Sequence, residues 1–378
     1  MIFIKSIKNT IKSIYKLIPL RNVILMESLN DLDCNTGALF EYLIENKVNE
    51  KYKIYWLVND KKRYNNIKIK NVKFLTMYKY NLIHYFHIFT ARYLIWDNKA
   101  IHKVRKEQKS IYLTHGAPPL KSVKEVIDLP QNIDFVLCPS EEVIDIMTEQ
   151  FNISKDKLNI VGHPRNDFLY KKWGMMQKIY GDNIYLKKII WMPTFRKLKN
   201  TDRVDSNKEF KLGIPLFDEI KQIKELNKIL KDNNILLIIK IHPGADLSMI
   251  TANSYSNINI LSDEQMKSLG INLYKLLPET DALITDYSTV AFDYLLLNKP
   301  IGYIIDDIDE YKLGFSIENP LELMPGHKIK EIKDLYLFIE DLKSGQDKYK
   351  DFRKKVCKLT NKYSDSNNRK RICENIGL

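Results

Sequence analysis

No run of apolar residues in this chain reaches the roughly 18 that a membrane-spanning helix needs. Lysines interrupt the N-terminal stretch at every turn, where a secretory signal would need an apolar block. The four cysteines, Cys34, Cys138, Cys357 and Cys373, show no C-x-x-C and no pairing rhythm. A disulfide scaffold and a zinc site are therefore not expected, and a reducing compartment is. The chain also lacks a G-x-G-x-x-G loop, a Walker A loop and a nucleophile elbow. Nothing recurs at a collagen or solenoid period.

What is present is enough apolar material for two cores: 378 residues, 44% of them hydrophobic. With 28% charged residues set among plentiful Ile, Leu, Tyr and Phe, the chain is globular rather than disordered. The formal charge of +13 points to an anionic partner. Part of that excess follows from a composition rich in Lys, Asn and Ile and poor in Arg, which genomic base composition produces by itself.

In residues 3 to 18, Ile4, Ile7, Ile11, Ile14, Tyr15 and Ile18 fall on one helical arc, with Lys5, Lys8, Lys12 and Lys16 on its flank, ahead of Pro19. That pattern suits a helix lying in an anionic bilayer interface. A first helix packed on the domain would show it as well.

From Val23 onward short β-branched and aromatic runs alternate with helical patterns: 54-IYWLV-58, 72-VKFL-75, 93-YLIW-96, 111-IYL-113, 135-FVLC-138 and 158-LNIV-161. The rhythm restarts after Gly162 with 189-IIWM-192, 235-ILLIIK-240, 258-INIL-261, 282-ALIT-285 and 301-IGYII-305. The expectation is an α/β chain of two doubly wound, Rossmann-like domains facing a central cleft: an amphipathic helix over 1–20, an N-terminal domain over 21–175 and a C-terminal domain over 176–378. Ligands of such sheets sit at the carboxyl ends of the strands, so the strand exits are where chemistry is sought.

The exit 114-THGAPP-119 offers His115, a group that titrates near neutrality and reaches a hydroxyl as general base, or else a loop histidine bonded to its own backbone. The exit 240-KIHPG-244 places Lys240 and His242 on one side of an extended chain, fit for a diphosphate or for a plain surface turn. In 281-DALITDYSTVAFDYLLL-297 a strand runs into Ser288 and Thr289 at a helix start, where free N–H groups and hydroxyls suit phosphate oxygens. Asp293, one turn further, suits ribose hydroxyls, and Asp286 reads as an N-cap. Arg165 and Asn166 of 162-GHPRND-167 and Arg196 of 192-MPTFR-196 suit phosphate, or a structural ion pair. The acidic run 306-DDIDE-310 reads as a solvated loop.

Taken in order, 115-HGAPPLK-121, 162-GHPRNDFL-169, 192-MPTFR-196, 240-KIHP-243, 283-LITDYSTVAFD-293 and, more weakly, 307-DIDEY-311 with 325-PG-326 resemble the CDP-glycerol glycerophosphotransferases of teichoic acid and capsule synthesis. The resemblance covers about 28 to 330. It implies a GT-B-like fold, a peripheral enzyme at the cytoplasmic face of the membrane, a CDP-alditol donor, a lipid-linked glycan acceptor and no metal. It makes His115 the base, His242 a diphosphate-binding group, Ser288 and Thr289 the diphosphate holders, Asp293 the ribose contact, and Arg165, Asn166 and Arg196 part of the donor lining.

Departures from the family pattern are the missing Gly-Lys in 27-ESLNDLDCNTG-37, 313-LG-314 where arginine-glycine is usual, and a tail reading 365-DSNNRKRI-372. They bear on acceptor and alditol. A length accounted for by one helix and two domains leads to the expectation of a short-product transferase. The rival readings are a GT-B glycosyltransferase using a nucleotide sugar and a non-catalytic membrane-surface protein. Nucleic acid is not expected, since no recognised binding motif accompanies the basic charge.

Overall fold

The computed structural model describes residues 18–77, 82–194, 196, 204–206, 208, 210–240 and 247–378. The helix expected over 1–20 lies outside this description except for its last residues, and His242 lies outside it altogether. The chain divides into two compact units.

The first unit comprises the described residues up to Ala117, Val126–Asp167 and Asp365–Leu378. Its sheet has seven strands: β1 (Arg21–Glu27), β2 (Lys53–Val58), β3 (Val72–Thr76), β4 (Ala91–Trp96), β5 (Lys109–Tyr112), β6 (Phe135–Cys138) and β7 (Leu158–Ile160). They run parallel in the order β3-β2-β1-β4-β5-β6-β7. Strands covered on both faces must be apolar throughout. Accordingly Ile24, Met26, Ile54, Trp56, Ile95, Ile111 and Leu137 are all in the core.

The second unit comprises Pro118–Glu125 and the described part of Phe168–Ser364. Its six parallel strands are β8 (Lys187–Met192), β9 (Ile235–Lys240), β10 (Ile258–Leu261), β11 (Ala282–Thr285), β12 (Ile301–Ile304) and β13 (His327–Ile329), ordered β10-β9-β8-β11-β12-β13. Trp191, Ile239 and Ile284 meet Leu226, Leu230 and Phe338 from the helices Ile220–Asp232 and Ile332–Ser344 in a core of its own.

Both sheets repeat the doubly wound order, in which the chain reverses direction beside the first strand and opens a crevice at the carboxyl ends. The reversal falls between β1 and β4 in one unit and between β8 and β11 in the other. Every strand singled out in the sequence is present; β1 and β13 were not singled out, β13 because three residues carry too little pattern.

The domain limits need correction. A C-terminal domain running unbroken from 176 to 378 is not what forms, because Asp365–Leu378 belongs to the first unit and Pro118–Glu125 to the second. The tail helix Asn368–Ile376 is held by a buried carboxylate: Asp167 accepts the N–H groups of Asn368 (2.9 Å) and Arg369 (3.0 Å). Gly162 makes room for it. At φ +74°, a Cβ there would stand 2.4 Å from Asn368 Oδ1.

Candidate active site

In the first unit three adjacent strands deliver their exits to one place. After β1 the chain loops into the helix Cys34–Glu45, after β4 comes Asp97, and after β5 comes His115. The loop is tight, with Asp31, Leu32 and Cys34 at positive φ. Gly37 is required beneath it, since a Cβ would fall 2.4 Å from Leu32 O. Its helix has no side-chain cap. Asp97 Oδ2 instead accepts the Thr36 N–H at 2.9 Å, which satisfies one of the free donors of the first turn.

His115 is exposed, and its surroundings fix it from behind. Thr114, a β-branched residue, holds φ +48°, a conformation kept only where neighbours enforce it. Asn35 Nδ2 donates to Leu113 O and Thr114 O, both at 2.9 Å, and Arg165 Nη1 donates to His115 O at 2.7 Å. Arg165 Nη1 also reaches Cys34 Sγ at 3.0 Å, and that sulfur lies 3.5 Å from His115 Nδ1. Burial pushes the Asp97 carboxyl well above, and the Cys34 thiol above, their ordinary values.

Arg165 and Asn166, expected in the donor lining, are buried parts of this first unit. Arg165 has 4% of its surface exposed, and its fork braces the His115 loop. The second histidine of the region, His163, is a core group: Nε2 is 2.8 Å from Ala117 O and Nδ1 3.0 Å from Asn35 Nδ2.

Glu27, at the end of β1, holds the loop behind Asp97. Its Oε2 accepts the N–H groups of Asn98 (3.2 Å) and Lys99 (2.8 Å). Burial outweighs these bonds and lifts its pKa from an ordinary 4.5 to about 7. The folded carboxyl thus keeps its proton to higher pH than the unfolded one. Its contribution is fully present below pH 4.5 and is lost as pH rises through 7, on the order of 3 kcal/mol. Glu27→Gln is expected to remove that part of the decline, checked by urea denaturation at pH 5 and pH 8.

In the second unit the exits of β8, β11 and β12 meet around a buried cation. Arg196 donates from Nη1 to Asp286 Oδ2 (2.8 Å), from Nε to Asp307 Oδ2 (2.6 Å) and from Nη2 to Asp307 Oδ1 (3.1 Å). Tyr287, Tyr311 and Phe210 surround the guanidinium at 5.2 to 5.5 Å. Burial disfavours the charge, but Asp286 and Asp307 outweigh it and raise the Arg196 pKa. Burial likewise works to raise Asp307, and Arg196 more than offsets it, so this carboxyl titrates below its usual range.

Three expectations change here. Arg196 is the structural ion pair of the two alternatives. Asp286 is not an N-cap: Thr289 occupies the N-cap position of the helix Val290–Tyr294, while Asp286 accepts from Thr194 N, Thr194 Oγ1 and Arg196. Nor is 306-DDIDE-310 wholly solvated, because Asp307 is buried on Arg196 and Asp306 lies 2.9 Å from Lys208 Nζ.

Ser288 and Thr289 are half-exposed at the turn into their helix, and Thr289 makes no side-chain cap bond. Lys240 ends β9 with Nζ 2.6 Å from Asp263. Asp293 is buried and accepts from Tyr274 OH at 2.6 Å, so its carboxylate is already engaged inside the unit. Among the described residues no helix is long and apolar enough to cross a membrane.

The family model described as CDP-glycerol:poly(glycerophosphate) glycerophosphotransferase matches residues 11–378. The chain belongs to this family. It is a transferase of the CDP-glycerol glycerophosphotransferase class. It is 29% identical over 310 residues to a teichoic acid glycerol-phosphate primase of Bacillus subtilis, covering 74% of this chain and 72% of the relative. A teichoic acid glycerol-phosphate transferase of Staphylococcus aureus is 26% identical over 98% of this chain and 96% of its own length. Among solved structures, the wall teichoic acid polymerase TagF superposes with a TM-score of 0.74 at 18% identity, over 99% of this chain and 94% of that one. That likeness carries the fold, two Rossmann-like parallel-sheet units of GT-B-like type.

Sequence reasoning missed Cys34, Asp97, Glu27 and Asp307 as members of these clusters. Asp97 was in reach, since it directly follows the run 93-YLIW-96 at a strand exit. The other three lie inside 27-ESLNDLDCNTG-37 and 307-DIDEY-311, segments that mark a motif without showing which of their side chains meet.

Proposed function

We propose that this glycerophosphotransferase uses His115 as the base that takes the proton of an acceptor hydroxyl on a lipid-linked teichoic acid or capsular glycan. The acceptor oxygen forms a bond to the phosphorus bearing glycerol, or a related alditol. The bridging bond of the donor breaks, and CMP leaves with the electron pair. Phosphoryl chemistry of this kind needs positioning and charge neutralisation more than covalent catalysis. The observation that carries the reading is an exposed His115 at the carboxyl end of β5 whose backbone is clamped by Asn35 and Arg165.

In the second unit, the hydroxyls and N–H groups at Ser288 and Thr289 hold the donor diphosphate, a task to which the sequence motif also assigns His242. Arg196 acts through the strand ends it ties together. Lys240 and Asp293 act through the partners described above.

The deciding experiment is incubation with CDP-glycerol and a lipid-linked disaccharide analogue, following CMP release. A nucleotide sugar consumed in its place would identify a glycosyltransferase. We propose that no metal is needed, so transfer is expected to survive EDTA; loss on chelation with recovery by magnesium would reverse this.

For location, the lysine-flanked apolar arc of residues 3 to 18 supports association with an anionic membrane surface. Changing Lys5, Lys8, Lys12 and Lys16 to Glu is expected to release the protein from anionic vesicles in a sedimentation assay, each lysine contributing about 1 kcal/mol. Unchanged binding would favour a helix packed on the domain.

A further inference from the structure

We propose that Cys34, Asp97 and His115 form a binding site for a thiophilic divalent cation of the zinc class, and that its occupancy silences His115. The silencing half rests on the reading of His115 as the base.

The three side chains come from the exits of neighbouring strands, and one ligand atom from each lies within 4.8 Å of the other two. The 3.5 Å between Cys34 Sγ and His115 Nδ1 matches the roughly 3.5 Å that separates two ligands on a tetrahedral zinc with bonds of about 2.0 to 2.3 Å. The third ligand carries an independent signal. Asp97 is fully buried, its Oδ2 is occupied by Thr36 N, and its Oδ1 has no hydrogen-bond partner among the described residues. A buried carboxylate oxygen with no partner is costly and rare, and a cation would satisfy it.

The surroundings prepare the sulfur as a ligand. Arg165 Nη1 donates to Cys34 Sγ at 3.0 Å, a bond that orients the sulfur from outside. The same nitrogen is fixed on His115 O at 2.7 Å, so two of the ligand residues share one brace. Cys34 at φ +57° and Thr114 at φ +48° hold conformations that their neighbours enforce, so both loops are tightly specified.

Ligand chemistry sets the selectivity. One sulfur, one imidazole nitrogen and one carboxylate oxygen suit zinc or cobalt, whereas magnesium and calcium call for oxygen throughout. Three protein ligands leave a fourth position for water or an anion.

The consequence follows from the imidazole ring. A neutral imidazole has one nitrogen lone pair. If Nδ1 gives that pair to the metal, the proton sits on Nε2, and neither nitrogen is left to accept a proton from an acceptor hydroxyl. Binding releases the thiol proton to solvent and involves no redox step.

The test uses the full chain, stripped with chelator and then titrated with cobalt as a spectroscopic probe. The expected result is a thiolate-to-cobalt charge-transfer absorption saturating at one equivalent, abolished by zinc and not by magnesium. Zinc is expected to inhibit CMP release, with reversal by EDTA. In Cys34→Ser the absorption should vanish, and the zinc concentration that halves the variant's own turnover should rise at least ~10-fold. Cys34→Ala replaces it should the serine variant not fold. An absorption that persists in both variants, or none in the unsubstituted chain, overturns the site and leaves the base reading intact. Stoichiometric cobalt binding through Cys34 with undiminished transfer overturns the silencing, while the base assignment is tested separately by the turnover of His115→Ala.

Discussion

His115→Ala is expected to lower turnover at least ~10²-fold, the loss typical of a missing general base, while far-ultraviolet circular dichroism and the melting transition stay near those of the unsubstituted protein. The fold should be spared because the ring is exposed and the loop is held through backbone groups, by Asn35 on Leu113 O and Thr114 O and by Arg165 on His115 O. His163→Ala is the informative contrast. That ring is buried between Ala117 O and Asn35, so its removal empties a core position and should appear mainly as lost stability. Near-normal turnover by folded His115→Ala protein would remove the base from the mechanism.

Arg196→Met is expected to destabilise the protein by about 3–5 kcal/mol, read from urea denaturation near pH 7. The side chain is 5% exposed and holds two buried carboxylates, Asp286 and Asp307, that would be left facing one another without a cation. The penalty should shrink at low pH, where the orphaned carboxylates can take up protons. Arg196→Lys should recover only part of the loss, since an ammonium cannot reproduce a fork that bonds Asp307 through two nitrogens and Asp286 through a third contact. A loss under about 1 kcal/mol for Arg196→Met would show that the cluster is solvated and that Arg196 is not what ties the exits of β8, β11 and β12.

The arginine reading stays undecided in the sequence, and the acidic-run reading fails, for a common reason. A motif such as 192-MPTFR-196 or 306-DDIDE-310 states which groups leave a strand, not which of them meet. The sequence leaves the arginine open between a phosphate ligand and an ion pair, and predicts a solvated acidic run; β8, β11 and β12 lie side by side, and opposite charges at their ends neutralise one another. Asp286 illustrates the same limit, because the local rule for a residue before a helix gave a cap while its actual partners, Thr194 and Arg196, are about 90 positions away.

Strand location was legible because both faces of a parallel sheet are covered, and 54-IYWLV-58 or 235-ILLIIK-240 can be little else in a chain of this length. Local pattern therefore settled the α/β class, the two doubly wound halves and the principle that chemistry gathers at strand exits. Linked motifs settled the family. Pairing across the sheet was decided only by the tertiary structure, since strand order depends on long-range packing that no short window of sequence records. That order brought Cys34, Asp97 and His115 together from three separate exits, returned the tail helix Asn368–Ile376 to the first unit through Asp167, and turned Arg196 from a candidate phosphate ligand into the buried centre of a charge network.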